Sequence, residues 1–157
     1  MNSKPNYGVS AKRLIVPDQL WVLDTDHLSL LQRSHERVVF RLRQLPPSQR
    51  TTTIVNAEEQ LRGRFATLAG ARKVEEWVPA YRQFQQTLSE LLPLQILPFD
   101  EAAAEQFVRL KTTVKQVGTQ DLKIAAIALS ADATLVTRNT VDFGRIAGLK
   151  LEDWTRQ

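Results

Sequence analysis

The chain reads as an α/β protein with a central, mainly parallel sheet, and three observations predict it. Short apolar or β-branched runs alternate with helical patterns from residue 21 almost to the end. The 157 residues suit one domain. No internal repeat or low-complexity segment interrupts the alternation. Residues 1–19 mix Lys, Pro, Asn, Gly and Ser without periodicity and read as a loose leader, leaving 20–157 as the domain. Trp21, Val22 and Leu23 form a first strand that ends on Asp24-Thr25-Asp26. His27 to Leu31 carry helical spacing, with Asp26 or Thr25 as cap. A second helix, about 35–45, places Val38, Val39, Leu42 and Leu45 on one side and stops at Pro46-Pro47.

The β-branched run 51–55 predicts a strand. Asn56 then caps a helix with Glu59 at its third position, a capping-box spacing. Residues 74–92 form a long helix with Trp77, Tyr81, Phe84, Leu88 and Leu91 at spacings of three and four, a stripe that packs in the core or against a second subunit. A short strand at 94–97 precedes a helix capped by Asp100 and running to Lys111. Gly118-Thr119-Gln120 opens an Ala-rich helix over 121–129. A buried strand at 134–137, a short helix at 141–146 and a last strand at 149–154 complete the order.

Composition excludes several classes. No run approaches the ~20 apolar residues that a membrane span needs. The first twenty residues lack the apolar core and cleavage site of a secretory signal. The chain has no cysteine, which excludes disulfides and thiolate metal sites and fits a reducing cytoplasm. Any metal must therefore be held by oxygen ligands or by His27 and His35. The net charge of +4, with Arg33, Arg37, Arg41, Arg43, Arg50, Arg62, Arg64, Arg72 and Lys73 in the first half, is compatible with a polyanionic partner.

The acids stand where an open parallel sheet binds ligands, outside the carboxyl ends of its strands. Asp24 and Asp26 follow the first strand, Glu59 follows the second, Asp121 begins the Ala-rich helix, and Asn139 and Asp142 follow the 134–137 strand. Each alone reads as a cap or a helix-dipole partner, as Asp100 does. Together they point to a hard cation, because clustered carboxylates repel one another and magnesium removes that penalty. Such an ion supports phosphoryl chemistry.

Four motifs carry a family resemblance. Leu23-Asp24-Thr25-Asp26-His27-Leu28, Glu59 to Gly63, Gly118 to Ala126, and Thr137 to Phe143 occur in order and resemble the motifs of VapC-like PIN domains over residues 20–155. The resemblance implies a PIN-like α/β/α sandwich and an endoribonuclease that uses magnesium, with manganese as a substitute. It implies the toxin role of a VapBC-type pair, with RNA as substrate, a small VapB-type antitoxin as partner, and a homodimer. Asp24, Glu59 and Asp121 would be the first three acids, with Asp24 and Asp121 the most direct ligands and Glu59 acting on water. Asn139 stands where some relatives have Asp, so Asn139 or Asp142 completes the site, with one metal or two. Asp26 is expected to hydrogen-bond, Thr25 and Thr137 to bond the acids, Glu58 to face solvent, and His27 and His35 to be structural or superficial. Two rivals are a catalytically weak RNA- or partner-binding PIN module and a haloacid-dehalogenase-like phosphatase. The phosphatase would need Asp26 as an acid/base and a Lys before the late acids, and the late segment Thr137-Arg138-Asn139 offers no such Lys.

Overall fold

The computed structural model describes residues 19–156; residues 1–18, where nearly all of the expected leader falls, and Gln157 lie outside the described residues. The elements are β1 (Trp21–Leu23), α1 (Thr25–Gln32), α2 (Glu36–Gln44), a 3-10 turn (Pro47–Gln49), β2 (Arg50–Thr53), α3 (Ile54–Gly70), α4 (Val74–Leu91), β3 (Gln95–Leu97), α5 (Glu101–Thr113), α6 (Thr119–Ser130), β4 (Thr134–Val136), α7 (Thr140–Phe143) and β5 (Lys150–Glu152). The sheet order is β3-β2-β1-β4-β5 and every neighbouring pair is parallel. The chain lays β2 and β3 to one side of β1, then crosses back to lay β4 and β5 on the other. The β1/β4 boundary is therefore a topological switch point, where the connections diverge and leave a crevice at the carboxyl edge.

Period-two alternation splits the core into two layers. Val22 and Leu135 face one way and pack with Leu122, Ile124, Ile127 and Phe143, the layer that covers the sheet with α5 and α6. Leu23 and Val136 face the other way and pack with Leu28, Val38, Leu42, Leu91 and Trp154, the layer under α1, α2 and α4. Both faces are covered, as an all-parallel sheet requires. Each of these side chains contributes roughly 1.5–3 kcal/mol by leaving water. A one-residue slip of β1 would exchange the two layers, so its register is fixed.

The buried part of β2 is unusual in being three threonines, Thr51 to Thr53, and each hydroxyl has a partner. Thr51 Oγ donates to the Trp21 carbonyl at 2.9 Å and Thr52 Oγ to the Leu23 carbonyl at 2.8 Å. Thr53 caps α3 by accepting from the Asn56 N–H at 3.0 Å. The strand thus ends at Thr53, two residues before its expected end, the helix starts at Ile54, and Asn56 lies inside it rather than capping it. The cap of α1 is likewise Asp24, whose carboxylate accepts from the Thr25 N–H, instead of Thr25 or Asp26. Asp100 caps α5 as expected, accepting from the Ala103 N–H at 3.0 Å.

The apolar stripe of α4 departs from its core reading. The helix buries Ala80, Thr87 and Leu91, whereas Trp77 and Tyr81 are 44% and 61% exposed. Tertiary packing keeps Leu91 of the stripe in the core beside Ala80 and Thr87, while Trp77 and Tyr81 look outward and Phe84 meets Phe65 of α3 at 5.3 Å between ring centroids. Among the described residues no helix is long and apolar enough to cross a membrane.

Candidate active site

Asp24 is the floor of the crevice. It sits one residue past β1, is 7% exposed, and is gripped from three directions. Its Oδ1 accepts from the Thr25 N–H at 2.9 Å and the Asn56 side-chain amide at 2.8 Å, and its Oδ2 accepts from Thr137 Oγ at 2.8 Å. An ionised oxygen can accept two bonds, so Oδ1 is saturated and Oδ2 keeps capacity toward the crevice. Burial raises the Asp24 carboxyl above its ordinary range, outweighing the three hydrogen bonds, and the charge of Asp26 adds to the rise.

Asn56 organises a second acid. Its amide also donates to Thr25 Oγ at 3.1 Å, and Thr25 Oγ donates onward to Glu59 Oε2 at 2.6 Å. Thr53 Oγ bonds the Asn56 carbonyl oxygen at 2.6 Å, which fixes the orientation of the amide. Asn56 and Glu59 are three apart on α3 and so share a helix face. This fully buried Asn56 is a site residue that the sequence reading took for a helix cap. The sequence offers Thr53 and Asn56 as equivalent caps, and only the packed helix shows that Thr53 caps while Asn56 turns to the acids.

Asp121 projects from the first turn of α6 on the opposite side. Burial, and then the charges of Asp24, Asp142 and Glu59, push its carboxyl up to about 6. Four acids from four segments therefore stand close enough to repel. Asp142 belongs to α7, whose cap is Asn139. Asn139 Oδ1 accepts from the Asp142 N–H at 3.3 Å, and the side-chain amide donates to Asp142 Oδ2 at 3.1 Å. Asn139 thus holds Asp142, and Asp142 is the one that adds negative charge. Asn139 is held in turn, because its N–H donates to Thr137 Oγ at 3.0 Å.

Asp26 is turned to a different task. Its Oδ1 lies 2.6 Å from His27 Nδ1 and its Oδ2 accepts from the Arg138 N–H at 2.8 Å. His27 is fully buried, and its Nε2 accepts from the Trp154 N–H at 3.2 Å, so the ring proton sits on Nδ1 and points at Asp26. This chain of bonds ties the end of the protein to the loop bearing the acids. It also leaves Asp26 committed, so the acid/base that a phosphatase would need is lacking. His35 is the N-cap residue of α2, with a buried Nδ1 that has no hydrogen-bond partner among the described residues. Glu58 is exposed and pairs with Arg62.

The donor set suits a hard divalent cation: carboxylate oxygens, with no sulfur. Among the described residues no three His, Asp or Glu side chains already close into a cage, so an ion here would complete its shell with water, as magnesium does.

Comparison with known proteins agrees with this arrangement. Residues 22–149 match the model of the PIN domain. Ribonuclease VapC1 of Haemophilus influenzae (strain R2866) is 27% identical over 143 residues, spanning 87% of this chain and 99% of that protein. The structure of VapBC-1 from nontypeable Haemophilus influenzae is similar with a TM-score of 0.68 at 26% identity, covering 88% of this chain and all of that one (100%). The DNA-bound VapBC of Salmonella typhimurium gives a TM-score of 0.72 at 25% identity, covering 87% and 98%. The match spans both core layers and every segment that brings an acid to the crevice, and the chain belongs to the PIN-domain family.

Proposed function

We propose that the chain is a metal-dependent endoribonuclease and the toxin of a VapBC-type toxin–antitoxin pair. The feature that carries the reading is the convergence of Asp24, Glu59 and Asp142 on Asp121 at the carboxyl edge of a PIN sheet, where burial and their charges push the Asp121 carboxyl up to about 6. Evolutionary kinship adds to it: the full-length relative is a ribonuclease, and the similar structures are VapBC assemblies. Nucleases of this class depend on a metal ion, and the all-oxygen donor set favours magnesium, with manganese as a substitute.

In this reading Asp24 Oδ2 and the Asp121 carboxylate hold the ion, Glu59 orients the attacking water, and Asp142, steadied by Asn139, completes the acidic wall. Bound there, the ion supplies a Lewis acid that acidifies water and offsets charge on the phosphodiester. Thr25, Asn56 and Thr137 keep the two deepest acids from rotating, which preserves the attack geometry. A VapB-type antitoxin would silence the enzyme, a second copy would form the homodimer, and residues 20–157 would act as one cytoplasmic nuclease domain.

The purified protein should cleave single-stranded or structured RNA with magnesium or manganese and stop when a chelator is added. Full cleavage in the presence of excess chelator, or full cleavage by Asp121→Asn, would overturn the assignment.

A further inference from the structure

The crevice poses an electrostatic problem: its walls are acids and its proposed substrate is a polyanion. A cation beside the acids would resolve it. Arg138 directly follows Thr137, whose hydroxyl bonds Asp24, and directly precedes Asn139, which holds Asp142. Its own N–H is pinned to Asp26 at 2.8 Å. The side chain is exposed, and among the described residues its guanidinium makes no hydrogen bond or ion pair.

Arg138 lines a polar cleft of about 370 Å³ with Asp26, Asn139, Asp153, Thr155 and Arg156. The two carboxylates there are already engaged. Asp26 is bonded to His27 and to the Arg138 N–H. Asp153 accepts from the Thr155 N–H at 2.9 Å and Thr155 Oγ at 2.6 Å, and pairs with Arg156 at 3.1 Å. Arg156 is thereby matched with a charge, and the guanidinium of Arg138 is the unmatched one. The cleft is tied to the acids through two of its lining residues: Asp26 accepts from the same Thr137 hydroxyl that bonds Asp24, and the Asn139 amide donates to Asp142.

We infer that Arg138 is a substrate-positioning residue that clamps an RNA phosphate next to the scissile one in this cleft. This inference rests on the ribonuclease reading above. A guanidinium can grip a phosphate through two parallel hydrogen bonds, which gives direction as well as charge. The anchored backbone keeps the base of the side chain fixed while its tip remains available. Arg156, already neutralised by Asp153, contributes less.

The test measures cleavage of a single-stranded oligouridylate in magnesium, and binding of the same RNA in an Asp121→Asn background across a series of KCl concentrations. Arg138→Ala should raise KM and Kd about 10- to 100-fold, the worth of one charged contact. It should leave kcat within about twofold and flatten the slope of log Kd against log salt by ~0.7, one phosphate's share for single strands. Arg138→Lys should restore the slope and part of the affinity; Arg156→Ala should change Kd less than about threefold, against that 10- to 100-fold scale. Arg138→Gln replaces the alanine variant if the latter melts lower than wild type. Wild-type cleavage with Kd and salt slope unchanged in Arg138→Ala overturns the positioning role alone, and a kcat loss without a Kd change does the same. A wild-type protein that neither binds nor cuts RNA overturns the ribonuclease reading, and this role with it.

Discussion

The crevice at the carboxyl edge of the sheet and the hairpin of α3 and α4 break the inside–outside rule in opposite directions. In the crevice polar groups are buried: Asp24, His27, Thr53, Asn56 and Thr137 are all nearly or wholly inaccessible. In the hairpin large apolar groups are exposed: Phe65, Val74, Trp77, Val78 and Tyr81 are all open to solvent. Both departures cost stability, the first through desolvation and repulsion, the second through unburied apolar area. The difference lies in how each is met. Each buried polar side chain in the crevice has partners within the chain, with Asp24 Oδ2 keeping spare capacity, whereas the hairpin's apolar groups have few partners within it. One region is held by its own hydrogen bonds, and the other leaves apolar area open to solvent.

The largest way to break the comparison is to neutralise an acid. Asp121→Asn should lower kcat by more than the ~10–100-fold expected for a group that acts only by orienting a ligand. Thr25→Val, which removes the bond to Glu59 Oε2, should fall inside that range. Equal effects of the two changes, measured under saturating RNA, would mean that Asp121 does not touch the ion or the reacting groups.

Next in size is the support beneath the acids. Asn56→Ala removes the amide that bonds Asp24 Oδ1 and Thr25 Oγ, and leaves buried acceptors short of a donor. The expected cost is about 2–3 kcal/mol, read from urea denaturation. A loss under 0.5 kcal/mol, the ordinary scale of a surface substitution, would show that the network does not hold the fold.

Smaller still is the repulsion itself. Asp121 titrates ordinarily at 3.8 and in the folded chain at about 6. Between those values the folded protein binds the extra proton, so its penalty is complete at neutral pH and relieved as pH falls through 6 toward 3.8. The metal-free protein should therefore be more stable at pH 5 than at pH 7 as far as this group is concerned. Asp121→Asn should melt higher than wild type at neutral pH without metal, by on the order of 1 kcal/mol after discounting for solvent screening, or about 2–4 °C. Asp24→Asn should gain less, because three donors converge on that carboxylate. Magnesium at a hundredfold excess over its dissociation constant should stabilise the wild type by ~2.7 kcal/mol at neutral pH. A melting temperature indifferent to both pH and magnesium would remove the repulsive cluster.

These contrasts explain what the sequence disclosed. The strand–helix alternation and the order of Asp24, Glu59, Asp121 and Asp142 were legible, because period and position along the chain are local properties. The carboxyl-edge rule then predicted that distant acids converge, and the charges acting on Asp121 come from those same residues. Asn56 was not legible as a support, since Thr53 and Asn56 each offer a cap and only the packed helix decides between them. The outward side of α4 was hidden for a similar reason. Its large apolar residues follow helical spacing, but whether Ala80 and Thr87 or Trp77 and Tyr81 face the sheet depends on how closely α4 approaches its neighbours. Arg138 carried no signal as an isolated arginine; its meaning came from the cleft around it.

The smallest expected effect on the fold lies at Tyr81, and it sharpens the comparison from the other side. Tyr81 is 61% exposed, so its ring has little buried area to lose within this chain. Tyr81→Ser should therefore shift monomer stability by less than about 0.5 kcal/mol. If the hairpin is covered by a second copy, the same change should weaken self-association, because an aromatic at the centre of an apolar patch contributes far more to an interface than to the fold that presents it. Light scattering over a dilution series would show the dimer of the wild type dissociating at higher concentration in the variant, while urea denaturation of the dilute protein stays unchanged. Thr87→Val is the internal contrast: it sits on the buried face of the same helix and accepts a 2.9 Å bond from Arg64 Nε. That variant should lower stability by about 1 kcal/mol, the worth of one hydrogen bond, and leave association alone. A Tyr81→Ser protein that loses stability and keeps its dimer would place the hairpin's aromatic face in the fold instead of in an interface.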